Sequence, residues 1–183
     1  MNTISRCLLA LCVLLVSLAA CEEDRNLTPE EQLPAITDTG AQTFGCLVDG
    51  KLFKPRKHPF SSYITLQCYY QKVKGINQFV LSAGDYIDRY NVVFNGDSVH
   101  LTGPTTLNYA YPERGNFYGR CGNTRGFSFE FSTYQNTAGE FKISRFDTVR
   151  QIISGTFWFD AVDTVTNRKV EVRQGRFDVH FTR

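Results

Sequence analysis

The chain has 183 residues, with 20 lysines and arginines against 18 acids, for a net charge of +2. So small a charge without a basic stripe argues against a nucleic-acid-binding protein, whose domains carry a clear basic excess. The length suits a single domain, large enough to bury roughly two-thirds of the surface its unfolded chain would expose.

The first stretch reads as a secretion device. Residues 1–6 are a short head whose only charged side chain is Arg6, residues 8–16 are almost purely apolar, and Ser17, Ala19 and Ala20 supply small residues next to a cleavable bond. That is the layout of a signal peptide, and the apolar run from Cys7 to Ala20 is well short of the ~20 residues a spanning helix needs. Leu18-Ala19-Ala20-Cys21 resembles the lipobox of bacterial lipoproteins. The resemblance implies cleavage before Cys21, a diacylglyceryl group on its thiol and an acylated amine. Several acyl chains on one residue make a stable membrane anchor. The alternative is an ordinary secretory signal followed by a chance cysteine. Cleavage would remove Cys7, Cys12, Arg6 and no acid, leaving a net charge of +1.

Residues 22–42 are rich in acids, contain Pro29 and Pro34, and have few large apolar side chains. They read as a flexible tether, whose 21 residues at ~3.3 Å each reach about 70 Å. Within it, Thr28-Pro29-Glu30-Glu31 has the form of a capping box with proline at the first helical position, which predicts one helical turn before Pro34. Glu22-Glu23-Asp24, directly behind Cys21, is similar to the acidic run that marks Bacteroidota lipoproteins for the cell surface. The resemblance implies an outer-membrane protein facing outward. A plain solvated tether, with the protein on the periplasmic face, is the alternative. The expected organisation is a signal peptide over 1–20, lipidated cysteine and tether over 21–42, and a folded domain over 43–183.

From Thr43 the pattern becomes short β-branched and aromatic runs separated by turn residues. Strands are expected over 43–48 and 51–54 around Asp49-Gly50, a two-residue hairpin signal. Others are expected over 62–72, 76–83, 90–94 and 98–102, with turns at Lys74-Gly75, Gly84-Asp85 and Asn95-Gly96. Residues 107–125 read as a looser aromatic loop. Over 126–133, Phe127, Phe129 and Phe131 alternate with Ser128, Glu130 and Ser132, as in a strand half buried against a core. Strands over 140–146, 151–160 and 169–182 complete the series, and no stretch of ten residues keeps a helical period. The expectation is an all-β, antiparallel β-sandwich of about nine or ten strands.

Two stretches resemble a family of Bacteroidota lipoproteins of unknown function: TFGCLVDGK at 43–51, like its opening strand, and ISGTFWFDA at 153–161 with QGRFDV at 174–179, like its closing hairpin. The resemblance implies fold and location, and brings no catalytic residue with it.

Candidate residues follow from strand phase. In the strand at 151–160 the odd positions Ile153, Phe157 and Phe159 face the core, which places Trp158 on the polar face. There it is either a platform for a sugar ring or a partner protein, or it lies under a loop or another strand. Tyr109, Tyr111, Phe117 and Tyr118 sit in the presumed loop, where they suit ligand contact or core covering equally. Lys54, Arg56 and Lys57, with Lys51 and His58, form a basic loop that suits anionic polysaccharide or lipid headgroups, or plain solvation. Cys46 and Cys68 point inward, as candidates for a disulfide in an exported protein or for two reduced, buried thiols. Cys121, in the presumed loop, is an odd thiol, either reactive or partly covered. Asp97-Ser98-Val99, Asp147-Thr148-Val149 and Asp163-Thr164-Val165 resemble a Bacteroidota O-glycosylation pattern, and are also ordinary turn sequences.

No catalytic set emerges. His58, His100 and His180 lack paired spacing for a metal, Asp97, Ser98 and His100 lie too close on one strand to form a triad, and no cofactor motif occurs. The expected function is therefore a non-enzymatic, membrane-anchored module that binds glycan or protein. An envelope accessory subunit is the second reading, and a hydrolase with an unrecognised acidic site the third.

Overall fold

The structure is a computed structural model that describes residues 27–97, 101, 104–107, 116–123 and 130–183. Among these there are eleven strands and no helix: β1 (Thr43–Val48), β2 (Lys51–Phe53), β3 (Leu66–Val73), β4 (Ile76–Asp85), β5 (Tyr90–Asp97), β6 (Pro104–Thr106), β7 (Phe117–Asn123), β8 (Phe131–Ser132), β9 (Gly139–Asp147), β10 (Ile152–Val162) and β11 (Lys169–His180). All pairings between strands are antiparallel. The sheet order is β2-β1-β11-β10-β8-β7-β5-β4-β3, with β9 also on β10 and β6 on β9.

The all-β expectation holds, but the strands form one continuous, strongly curled sheet where two separate sheets were expected. Curling brings its edges together. Tyr69 on β3 bridges to Thr182 just beyond β11, and Arg56 just beyond β2 bridges to Asp85 at the end of β4. The half made by β9, β10 and β11 thus faces the half made by β4, β5 and β7. Phenylalanines fill the space between. Phe94 on β5 lies 4.8 Å from both Phe141 on β9 and Phe157 on β10. Phe141 also meets Phe117 at 4.9 Å and Phe177 at 4.8 Å. Such ring pairs add about 0.5–1.5 kcal/mol each beyond their burial.

Two hairpins form as expected. Asp49-Gly50 has φ of 48° and 75°, and Lys74-Gly75 has φ of 49° and 84°, the doubly left-handed conformation of the type I′ turn. Two other expected turns are strand interior. Asn95 and Gly96 continue β5, paired with β4 on one side and β7 on the other. Gly84 and Asp85 continue β4, and the chain reverses over 86–89 instead, where Asp85 Oδ1 accepts the amides of Ile87 and Asp88. An Asn-Gly pair favours a turn only where nothing pairs with its backbone, and here both sides are occupied. The presumed loop at 107–125 likewise contains β7, placed between β5 and β8.

Residues 27–42, read from the sequence as part of a flexible tether, are held against the domain. The capping box forms as expected, with Thr28 N donating to Glu31 Oε2 at 2.8 Å and Glu31 N to Thr28 Oγ1 at 3.4 Å. Beyond it, Leu33 is buried. Residues 37–41 are then held by Asp178 on β11, whose carboxylate accepts Thr37 Oγ1 at 2.7 Å, Gly40 N at 2.8 Å, and Thr39 N and Ala41 N at 3.0 Å each. A carboxylate satisfied by backbone amides fixes chain as firmly as strand pairing does. Residues 27–42 are therefore a strap on the domain, and the folded unit begins before Thr43.

Candidate functional site

Among the described residues, the outer face of β9, β10 and β11 carries an open depression beside Trp158, and a backbone irregularity builds it. Phe157 pairs with Gly175 and Phe159 with Val172, so Trp158 stands opposite two residues, Arg173 and Gln174. This is a β-bulge, the device that re-aims side chains next to binding sites. Gln174 has φ of 52°. The bulge reverses the inward phase of β11, from Val170 and Val172 before it to Phe177 and Val179 after it. Arg173 is thereby turned outward, beside the indole.

Trp158 is 38 % exposed, with the Arg173 guanidinium 5.6 Å from its ring centroid. Arg173 is fixed in that position by Asp160 Oδ1 at 2.6 Å, Glu171 Oε2 at 3.4 Å and the carbonyls of Phe159 and Val172. One face of the indole thus rests on a held cation. The rest looks onto an open depression of about 750 Å³, lined among others by Glu30, Ile36, Glu140, Thr156, Glu171 and Arg176. Glu140 is the cross-strand partner of Trp158 on β9. The strap supplies one wall, with Glu30 accepting Gln174 Nε2 at 2.8 Å and Pro34 O accepting Arg176 Nη1 at 3.4 Å. An exposed aromatic plate ringed by carboxylates, guanidinia and an amide can stack on an apolar ring face while exchanging hydrogen bonds with hydroxyls.

The other candidates divide. Cys21, Tyr109, Tyr111, Ser98 and His100 lie outside the described residues. Phe117 is a core residue, 1 % exposed and packed on Phe79, Phe94 and Phe141, so it is not a ligand contact. Tyr118, its neighbour on β7, faces outward with the Arg120 guanidinium 5.4 Å from its ring centroid. It lines a separate hollow of about 160 Å³ with Asn95 and Asp97, away from Trp158.

The basic loop is partly neutralised. Arg56 donates to Asp85 through Nε at 2.8 Å and also binds Asp88. Lys54 Nζ donates to Gln32 O at 3.3 Å, and Lys57 is exposed. A polyanion site made of all three cations is therefore not formed, because Arg56 already has two carboxylates.

The disulfide between Cys46 and Cys68 is also absent; both cysteines are buried and free, as is Cys121. Cys121 belongs to β7 and not to a loop. Burial holds its thiol up at about 12, and burial raises Cys46 and Cys68 as well. All three behave as small neutral core residues without nucleophilic thiolate. Asp147 and Asp163 head exposed turns by accepting the amides of Val149 and Val165, in accord with the turn reading of those two motifs. Among the described residues, no three His, Cys, Asp or Glu side chains are grouped to hold a metal.

Arg173, Glu140 and the strap residues do not stand out in the sequence. One signal was present: the switch from even to odd apolar positions between Val172 and Phe177 requires a bulge between them, and a bulge opposite an outward tryptophan marks a site. Compared with protein-family models, with curated proteins and with solved structures, the chain matches none of them.

Proposed function

We propose that this is a lipid-anchored envelope protein, held by Cys21 and facing the cell exterior, whose β domain binds glycan at the Trp158 depression without catalysing a reaction. The observation that carries the reading is the chain's single tryptophan, exposed on the outer sheet face and positioned by Arg173 at a bulge. Glu30, Glu140 and Glu171 favour a hydroxyl-rich, uncharged glycan over a polyanion, since carboxylates accept from sugar hydroxyls and repel acidic groups. A protein partner in an envelope complex is the second reading, favoured by the exposed Ile36 on the rim of the same depression.

Trp158→Ala is expected to weaken binding to neutral oligosaccharides on a glycan array about tenfold or more, the loss of one stacking contact worth ~1.4 kcal/mol. The melting temperature should change little. If glycan binding is unchanged while a co-purifying envelope protein is lost, the protein-partner reading replaces the glycan one. For the anchor, metabolic labelling with a fatty acid should mark the wild type and not Cys21→Ala. A Cys21→Ala protein that still carries label and stays in the membrane contradicts lipidation at this residue.

A further inference from the structure

We propose that the loops at 57–64 and 86–89 form a second membrane contact, which lays the domain against an anionic phospholipid bilayer. The inference rests on the lipid-anchor reading for its geometry, but the surface itself is on the molecule. Phe60 is 95 % and Tyr63 67 % exposed, and Ile64, Tyr86 and Ile87 are exposed beside them. Tyr63 stacks on Tyr86 with centroids 5.2 Å apart and an interplanar angle of 13°, so the two loops act as one surface. Single exposed apolar residues are ordinary, whereas five large ones on two adjoining loops are not.

Charge and position select the occupant. Arg56 is neutralised by Asp85 and Asp88, while Lys57 and Arg89 at the patch are exposed and enter no ion pair among the described residues. Lys54 adds a third cation at the stem of the longer loop. Aromatic and aliphatic side chains flanked by cations match a bilayer interface, where rings sit at headgroup depth and cations meet lipid phosphates. Lys54 Nζ donates to Gln32 O, and Gln32 Nε2 donates to Leu27 O at 2.9 Å. The first described residues therefore lie beside this loop. Six residue steps separate Leu27 from Cys21 and reach at most about 20 Å. A lipid on Cys21 would keep this side of the domain close to the bilayer, far inside the reach of a free tether.

The test uses the chain from residue 21 with Cys21→Ala, which carries no lipid and contains every described residue. It is co-sedimented with vesicles of phosphatidylethanolamine and phosphatidylglycerol, and with vesicles of phosphatidylcholine alone. The expected result is partition onto the anionic vesicles that falls with added salt, is at least tenfold weaker for the double variant Phe60→Ala/Tyr63→Ala and for Lys57→Glu/Arg89→Glu, and is unchanged in Trp158→Ala. Both loop variants replace exposed side chains, and an unaltered circular-dichroism melt confirms their fold. Absence of binding to anionic vesicles, or equal binding by the loop variants, overturns the proposal; so does loss of a co-purifying protein in the loop variants without loss of vesicle binding. Because this chain has no lipid, the result is independent of the fatty-acid labelling that tests the anchor.

Discussion

Asp178→Ala is expected to lower the free energy of unfolding by about 3–5 kcal/mol, the scale for breaking a buried charge network. The side chain is 1 % exposed and accepts hydrogen bonds from two strands' worth of chain: Thr37, Thr39, Gly40 and Ala41 on the strap, and Ser154 Oγ on β10 at 2.7 Å. Hydrogen bonds to a charged group contribute about 1.5–3 kcal/mol each and are not additive. Alanine leaves three amides and three hydroxyls without their acceptor. Asp178→Asn is expected to cost less, because its amide keeps one accepting oxygen while presenting an NH₂ group to hydroxyls and amides that also donate. Urea titrations of the three proteins measure the difference. Hydrogen exchange at Gly40 and Ala41 should rise in both variants, since the strap loses its clasp before the sheet opens.

The same carboxylate sets an acid response. Burial alone would raise its pKa, but the hydrogen bonds from Thr37, Ser154, Ala41 and Gly40 outweigh burial and hold it well below the ordinary carboxylate range. A depressed folded-state pKa gives stability that is fully present above the unfolded value of about 3.9 and is lost as pH falls below it toward the folded value. The wild type should therefore lose stability below about pH 4 more steeply than Asp178→Asn does.

Gly155→Ala is expected to destabilise by about 3 kcal/mol or more, at the upper end for overpacking. A β carbon there would lie 2.1 Å from the carbonyl oxygen of Lys142 and 2.9 Å from the Phe177 ring. The first contact is backbone of the neighbouring strand β9, which cannot rotate away. The register shift beside it, where Ser154 pairs with Arg145 and Gly155 with Ile143, draws β9 close at this point. Gly50→Ala is the control. Nothing lies within 4 Å of its β carbon, and only its φ of 75° opposes the change, so about 1 kcal/mol is expected. Thermal melts of the two variants separate steric contact from backbone preference.

The strands β1 to β5 and β9 to β11 and the inward phase of β10 were legible because they rest on local pattern: Phe157 and Phe159 face in, Trp158 faces out, and Asp49-Gly50 and Lys74-Gly75 turn the chain. Most of the strand expected over 98–102 and half of that expected over 126–133 lie outside the described residues. What was not legible depends on contacts distant in sequence. Residues 33–42 look like a tether because Leu33 and Ile36 are their only large apolar side chains, yet Asp178, far along the chain, supplies the acceptors that hold them. Asn95-Gly96 looks like a turn until β4 and β7 are seen on either side. Phe117 and Cys121 look like loop residues because glycines and prolines surround them, whereas curling of the sheet places both in the core. The site was half visible: the tryptophan could be placed on the outer face, but the arginine beside it could not, since the bulge that turns Arg173 outward is a property of pairing.

Because Trp158 is the chain's single tryptophan, its fluorescence reports on the proposed site and on nothing else. Titration with a panel of neutral oligosaccharides is the most direct test of the glycan reading. A saturable change in intensity with a shift of the emission maximum, abolished when the sugar is competed away, is the result expected when a ring stacks on the indole. A panel that leaves the emission unchanged, or a glycan that binds by calorimetry without altering it, would contradict the assignment of glycan binding to the Trp158 depression.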